Sequence, residues 1–392
     1  MAHLHQVPEE EVLRLGWPYW LHLATDDALL LDESWTPQGT ISTLTSTCRP
    51  APPPRSYLAV TGPVLDAQIK QAFAALASPR RPPARDGHLI DPHALTWAEA
   101  RIRALEAMET GTLLDLSALY AAARAEHQLV TALMTSSGYD HATGVRLLLL
   151  SARTAALCGW ISTALGESAA AERYVLAALR AASAAGAHQD VAACLYRLAV
   201  IHFATGNPMD ALSVARAAQA IVPKTQPFFV ASLHIKEAVT LARLGEATAG
   251  AKRLGQAIAQ AARGADQDAG STALDVIVNE GSLDIAQGIA WHSLGRPERA
   301  LAHFAALTGD GPPSSGITVP SPYTAGRLLY AVDAQLSLGD LEAAAHHTRH
   351  AIAVTGTLPP GLAQRFRQRL VLHAAEPAVR ELYDLLSEKT PS

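Results

Sequence analysis

The chain has 392 residues, 49% of them hydrophobic and 5% aromatic, with a net charge of −5 and an isoelectric point near 6.3. That is long and apolar enough for two ordinary domains or one extended helical array. The scarcity of aromatics beside abundant alanine speaks against a β-sandwich, and the acidic balance speaks against a broad nucleic-acid-binding face, which would carry a basic stripe. Cys48, Cys158 and Cys194 are odd in number and unevenly spaced. No disulfide framework is expected from them, and a reducing compartment is. The N-terminus has no charged stretch leading into an apolar core, and no run reaches 18 apolar residues. The expectation is a cytoplasmic protein with no membrane contact.

In chain order, residues 1–48 form a small Trp-rich module holding Trp17, Trp20 and Trp35. Pro8 followed by Glu9, Glu10 and Glu11 predicts a helix start, with acids where the helix dipole favours them. A short helix is predicted over about 39–46. Residues 49–92 combine Pro-rich linkers with one amphipathic helix over 64–77, and 79–92 is predicted to be an exposed, mobile loop. Further helices are predicted over about 95–108, 112–136 and 142–164. Residues 93–386 are assigned to a helical-repeat array, with a loop at 309–322 that is either a lid or a long connection, and 387–392 to a tail.

The array is read from a recurring turn. Glycines at 166, 206, 245, 295 and 339 lie 40, 39, 50 and 44 residues apart. Each separates two alanine- and leucine-rich stretches of helical period, and recurrence at such a period predicts stacked helix pairs. In the clearest unit, Leu195, Leu198 and Ala199 share a face of the first helix. Gly206-Asn207 makes the turn, Ala211, Ala215 and Ala218 line the second helix, and Pro223 ends it. This pattern resembles a tetratricopeptide repeat. The glycine is expected at positive φ, and the alanines are expected to let two backbones approach. The predicted fold class is therefore all-α: a tetratricopeptide-like solenoid with the Trp-rich module capping its hydrophobic end.

A second likeness rests on Leu15-Gly16-Trp17-Pro18-Tyr19-Trp20-Leu21, Trp35-Thr36-Pro37-Gln38-Gly39-Thr40 and Arg55–Gly62, followed by Gly138-Tyr139, Gly159-Trp160 and Tyr174–Leu179. Over roughly residues 7–380 this layout resembles the C-terminal, repeat-containing effector portion of actinobacterial helix-turn-helix (XRE-like) transcriptional regulators. The resemblance implies a sensor or effector module. Only 14 residues precede Leu15, too few for the three helices of a DNA-binding domain, so direct nucleic-acid contact is not expected.

In stacked helix pairs the first helices line the concave face. Counting from each turn places Arg153, Trp160, Tyr196, Phe203, Ile235, Arg243, Ile289, His292, Leu329 and Asp333 there. Glu280 is an acid that would face the same groove. Arginine for a carboxylate and aromatics for apolar burial suit a peptide, a protein partner or a small signalling molecule. Arg153, Trp160, Tyr196, Phe203, Arg243, Glu280, His292 and Asp333 are the expected ligand-binding set. No catalytic residue, metal or cofactor is expected. His346, His347 and His350 lack a third ligand, and a solvated helix face is the better reading. No phosphate loop or nucleophile elbow occurs. Two other uses of the scaffold stay open: a biosynthetic enzyme or accessory protein with Trp160, Tyr196, Arg243, Glu280 and His292 in a pocket, or a holder of other proteins. Self-association through an end of the array is also expected.

Overall fold

The computed structural model describes residues 7–17, 19–24, 31–49, 57–80, 82–109, 115–222, 226–265, 278, 280–308, 323–356 and 358–388. Among them the chain is all-helical, with no strand. It divides into two compact units. Unit 1 comprises Met1–Ala107, Leu119–Thr163 and Glu167–Val222; unit 2 comprises Met108–Ala118, Ala164–Gly166 and Pro223–Ser392.

Helix α1 (Glu9–Leu15) opens the chain, followed by a 3-10 turn over Tyr19–Ala24, α2 (Pro37–Thr47) and α3 (Gly62–Ala77). The Thr36 hydroxyl accepts from the Gly39 amide at 3.2 Å and caps α2. Then come α4 (Pro92–Glu109), α5 (Leu116–Ser136), α6 (His141–Leu165), α7 (Ser168–Ala184), α8 (His188–Thr205) and α9 (Pro208–Ile221). Inside unit 1, α7 packs on α8 and α8 on α9, while α2 and α3 lie on α7, and α3 also on α9. Trp20 is buried there and Trp17 is exposed.

Buried polar groups pin this N-terminal segment to the helices. Glu172 of α7 accepts the main-chain amides of Ala59 and Val60 at 2.9 and 3.1 Å. Asp210 of α9 accepts the Gly62 amide at 3.0 Å. The buried Arg180 guanidinium donates to the carbonyls of Glu33 and Ser34 and lies over the Trp35 ring. Each charge is taken out of water with partners in place, which keeps its burial affordable.

Unit 2 holds α10 (Pro227–Arg243), α11 (Ala247–Ala265), α12 (Glu280–Ser293), α13 (Pro297–Thr308), α14 (Thr324–Leu338), α15 (Leu341–Thr355), α16 (Pro360–Leu370) and α17 (Pro377–Glu388). The pairs α10–α11, α12–α13, α14–α15 and α16–α17 are in contact. The first members are also neighbours: α10 on α12, α12 on α14, α14 on α16.

Four of the five repeat glycines have positive φ: Gly166, Gly245, Gly295 and Gly339, at +71° to +85°. At each, the amide one residue on reaches back across the last turn, as Glu246 N–H does to Leu241 O at 2.9 Å and Arg296 N–H to Trp291 O at 2.9 Å. That closes the helix end with a Schellman motif. Gly206, the glycine of the clearest sequence unit, does not follow. Its φ is −104°, and the turn is made by Asn207, whose side chain accepts from the Met209 amide at 2.9 Å. Gly206 is needed there for space: a Cβ would lie 2.8 Å from His202 Nδ1 and 3.0 Å from the His202 carbonyl oxygen. Gly186, at φ +73°, makes a further such turn between α7 and α8 that the Leu-Gly signature does not flag.

The segment 79–92 also departs from expectation. Most of it is exposed, yet it is tied down by paired main-chain bonds, Arg85 with Tyr139 and His88 and Ile90 with Gly138, at 2.8–3.1 Å. Pro82 is buried. The Pro-rich stretch 50–56, the 309–322 loop, Pro223 and the tail beyond 388 lie outside the described residues. Helix α6 is long and apolar enough to cross a membrane by length and composition, and 72% of its most apolar window is buried inside the protein. That degree of burial is what a core helix shows.

Candidate functional site

In unit 1 the inward positions of α4, α6 and α8 recur every seven residues. Glu99 and Glu106 lie on α4, Arg146, Arg153 and Trp160 on α6, and Asp190 and Arg197 on α8. Arg146 bonds Glu99 through two nitrogens at 2.7 and 3.1 Å. Arg153 grips Glu106 with both arms of its guanidinium, Nε to Oε1 at 2.9 Å and Nη2 to Oε2. Arg197 lies 5.9 Å from the Trp160 ring. Burial raises the Asp190 carboxyl above its ordinary range, and the charges of Arg153 and Arg197 oppose that. Three arginines thus face three acids, and the face is close to neutral.

The structure places the expected site residues of this unit as follows. Arg153 is committed to an ion pair. Tyr196 and Phe203 are 8% and 4% exposed, so most of each side chain packs into the interior of unit 1. Ile235, Ile289 and Leu329, placed on the same face by counting, are buried as well, in unit 2. A first helix has neighbours on three sides, so only a narrow stripe of it stays open.

Unit 2 presents a different surface. Lys236 and Arg243 are seven apart on α10, hence on one face. Facing them are His292 at the end of α12, Arg327, Tyr330, Asp333 and Ser337 on α14, and Arg369 on α16. Arg369 Nε bonds Asp333 Oδ1 at 3.3 Å. His292 Nε2 and Ser337 Oγ are 3.0 Å apart, and the Ser337 hydroxyl donates to the Asp333 carbonyl at 2.8 Å. This is not a nucleophile relay. The serine proton is directed at main chain, and the Asp333 carboxylate is turned to Arg369 rather than to the imidazole.

The electrostatics show how close these groups are. Burial lowers the Lys236 ammonium to about 8, and the charges of Arg243 and Arg327 push the same way. Arg243 is also lowered, mainly by desolvation and further by Arg369, while Tyr330 and Asp333 offset the shift. Burial lowers His292 too, with Arg243 acting alongside and Asp333 against it, so the imidazole is neutral at pH 7. Lys236, Arg243, Arg327 and Arg369 therefore share one neighbourhood with Asp333. Lys236 is 9% exposed, whereas Arg243 remains open to solvent.

The chain matches no family model, and no curated protein matches it.

Of the eight expected site residues, Arg243, His292 and Asp333 are brought together. Glu280 begins α12, and its side chain lies outside the described residues. Lys236, Arg327, Tyr330 and Arg369 were missed. Seven-residue spacing back from Arg243 marks Lys236, and spacings of three and six back from Asp333 mark Tyr330 and Arg327. Arg369 needs α16 to be recognised as a further first helix, which no Leu-Gly turn announces.

Elsewhere, His347 is buried and His346 exposed. No group of three metal-ligating side chains occurs among the described residues. Cys158 and Cys194 are buried, and burial raises both thiols, Cys194 to about 12, so neither is a ready nucleophile. A cleft of about 530 Å³ lies beside Trp35 in unit 1, lined also by Glu33, Gln71, Ser78 and Arg80.

Proposed function

We propose that this chain is a tetratricopeptide-like binding module of the regulator-effector kind, and that its ligand is held on the inner helix face of unit 2. The reading rests on one observation: three residues singled out in sequence, Arg243, His292 and Asp333, come from three successive first helices and converge. They are joined there by Arg327, Tyr330, Ser337 and Arg369. Side-by-side stacking of first helices and Schellman turns between pair members support the repeat assignment. The Trp-rich module covers α7 of unit 1 in this reading, and α3 in the following segment covers α7 and α9, shielding apolar surface on the second-helix side. The module acts inside the cell by altering a partner's access to a surface when ligand binds. Unit 1, with its inner face closed by ion pairs, serves as scaffold.

The test is occupancy. Native mass spectrometry of the gently purified chain should show a bound mass that is lost in Ser337→Trp. Ser337 is exposed beside His292, so the new indole blocks the face without changing its charge. A bound mass retained in a folded Ser337→Trp protein places the ligand elsewhere and ends the proposal.

A further inference from the structure

The cleft beside Trp35 is walled by two parts of unit 1 that are far apart in the chain. One wall is the segment 31–37, which leads into α2 and is held firmly. The Arg180 guanidinium, 1% exposed, donates to the carbonyls of Glu33 and Ser34, the latter at 2.8 Å, and lies 4.7 Å from the Trp35 ring. Ser34 Oγ and Thr36 Oγ1 are 2.8 Å apart, and Glu33 Oε1 accepts from the Ser42 hydroxyl at 2.5 Å. Gly39 lets α2 close on the same segment, since a Cβ there would lie 2.1 Å from the Ser34 carbonyl oxygen. The other wall belongs to α3 and its end. Gln71, Ala74, Ala75 and Ser78 follow the i, i+3, i+4, i+7 spacing of one helix face, and all four line the cleft. Among the described residues, none from α4, α6 or α8 lines it, so it is separate from the ion-paired inner face of unit 1.

Three properties of the walls define what fits between them. Small side chains on the α3 side and an indole on the other suit a flat ring, which gains most from an aromatic neighbour. The Trp35 Nε1–H is buried without an acceptor among the described residues, and buried donors are nearly always answered. A ring nitrogen is an acceptor of the right kind. Asp32 and Glu33 bring two carboxylates to the cleft against the single guanidinium of Arg80. Amino groups are donors that carboxylates hold well, because the bonds are charge-assisted. The volume of about 530 Å³ lies within the range of small-molecule sites and accommodates a fused ring system.

We propose that the cleft between segment 31–37 and α3 binds a small, flat nitrogen heterocycle bearing amino groups, with its ring against Trp35 and its amino donors on Asp32 and Glu33. The bound molecule bridges the Trp-rich module to α3. This site does not depend on the ligand face of unit 2.

The experiment is titration of the full chain with 2-aminopurine, followed by calorimetry and by the fluorescence of the probe, with purine as the counterpart that lacks the amino group. 2-Aminopurine should bind saturably at one site and be quenched against the indole, and purine should bind more weakly by about 10-fold or more. Asp32→Asn with Glu33→Gln should weaken 2-aminopurine to a similar extent, while the new glutamine keeps an acceptor for Ser42. Ala74→Trp fills the cleft from an exposed helix position and should abolish binding, and Arg146→Gln should leave it unchanged. Circular dichroism reports that each variant is folded, and Gln71→Trp, also at an exposed position, serves if Ala74→Trp is not. Absence of saturable binding, equal binding by the folded cleft-filling variant, or equal binding of purine overturns the proposal. Ser337→Trp should bind 2-aminopurine as the parent chain does, so failure at one site is distinguishable from failure at the other.

Discussion

Glu172 brings a formal charge into the interior of unit 1, and it can do so because two main-chain amides point at its two oxygens. Removing the carboxylate leaves the Ala59 and Val60 donors buried and unanswered. Glu172→Ala should therefore cost about 2–4 kcal/mol in denaturant unfolding, and Glu172→Gln, which keeps an acceptor, clearly less. Histidines give the second prediction at this scale. Burial lowers His127 to about 4 and His202 to about 3. The unfolded imidazoles take up protons below about 6.5, while the folded ones stay neutral down to those values. Stability is therefore full above pH 6.5 and falls as the pH drops, by about 1.4 kcal/mol per pH unit for each histidine. Buried acids whose pKa is raised, Asp190 and Asp210 among them, act in the opposite direction at the lower end. Both ring nitrogens of His202 lack a hydrogen bond. His202→Leu should thus fold and lose its share of the slope when denaturant midpoints are followed from pH 7 to 4.5; an unchanged slope would show that His202 is protonated in the fold.

Turns and helix ends belong to the next scale up. Gly166 and Gly339 share a backbone conformation, with φ +82° and +77°, but not an environment. A Cβ on Gly339 meets nothing within 4 Å, whereas one on Gly166 would lie 2.5 Å from the Gly361 carbonyl carbon and 2.7 Å from the Leu362 amide. Gly339→Ala should cost about 1 kcal/mol, the ordinary penalty for an L-residue at positive φ. Gly166→Ala must in addition move α16, so thermal unfolding should show at least twice that loss. Equal losses would mean that α16 yields freely at this contact. The glycine signature is the same at both places. It reports the turn and is silent about what packs over it.

On the scale of the whole molecule, the inner first-helix face of unit 1 is held by ion pairs between arginines and acids of different helices. Arg153→Met strands Glu106 and should lower the stability of unit 1 by about 1–3 kcal/mol. Calorimetric unfolding of the variant checks this, and an unchanged stability would show that the Arg153–Glu106 pair does not hold the face.

Helix positions and the turns that join them were legible in the chain because their determinants are local. The predicted spans 64–77, 95–108 and 142–164 appear as Gly62–Ala77, Pro92–Glu109 and His141–Leu165. The repeat alanines Ala171, Ala178, Ala211, Ala215, Ala218, Ala257, Ala300, Ala344 and Ala351 are all buried where two helices meet. Periodicity of 3.6 residues and the αL preference of glycine act within a few residues and need no partner. Which stripe of a helix remains open was settled by its neighbours instead. Tyr196 and Phe203 have the same register logic as Arg243 and Asp333, yet the first two are enclosed in unit 1 and the latter two line an open face. The pinning of 79–92 by Gly138 and Tyr139, and the meeting of Lys236, Arg327 and Arg369 from three helices, likewise join residues far apart in the chain. Sequence alone thus established an all-helical chain of glycine-turned pairs. Packing chose the charged surface, because charge balance is a property of the side chains that share a space, and only folding brings them into one.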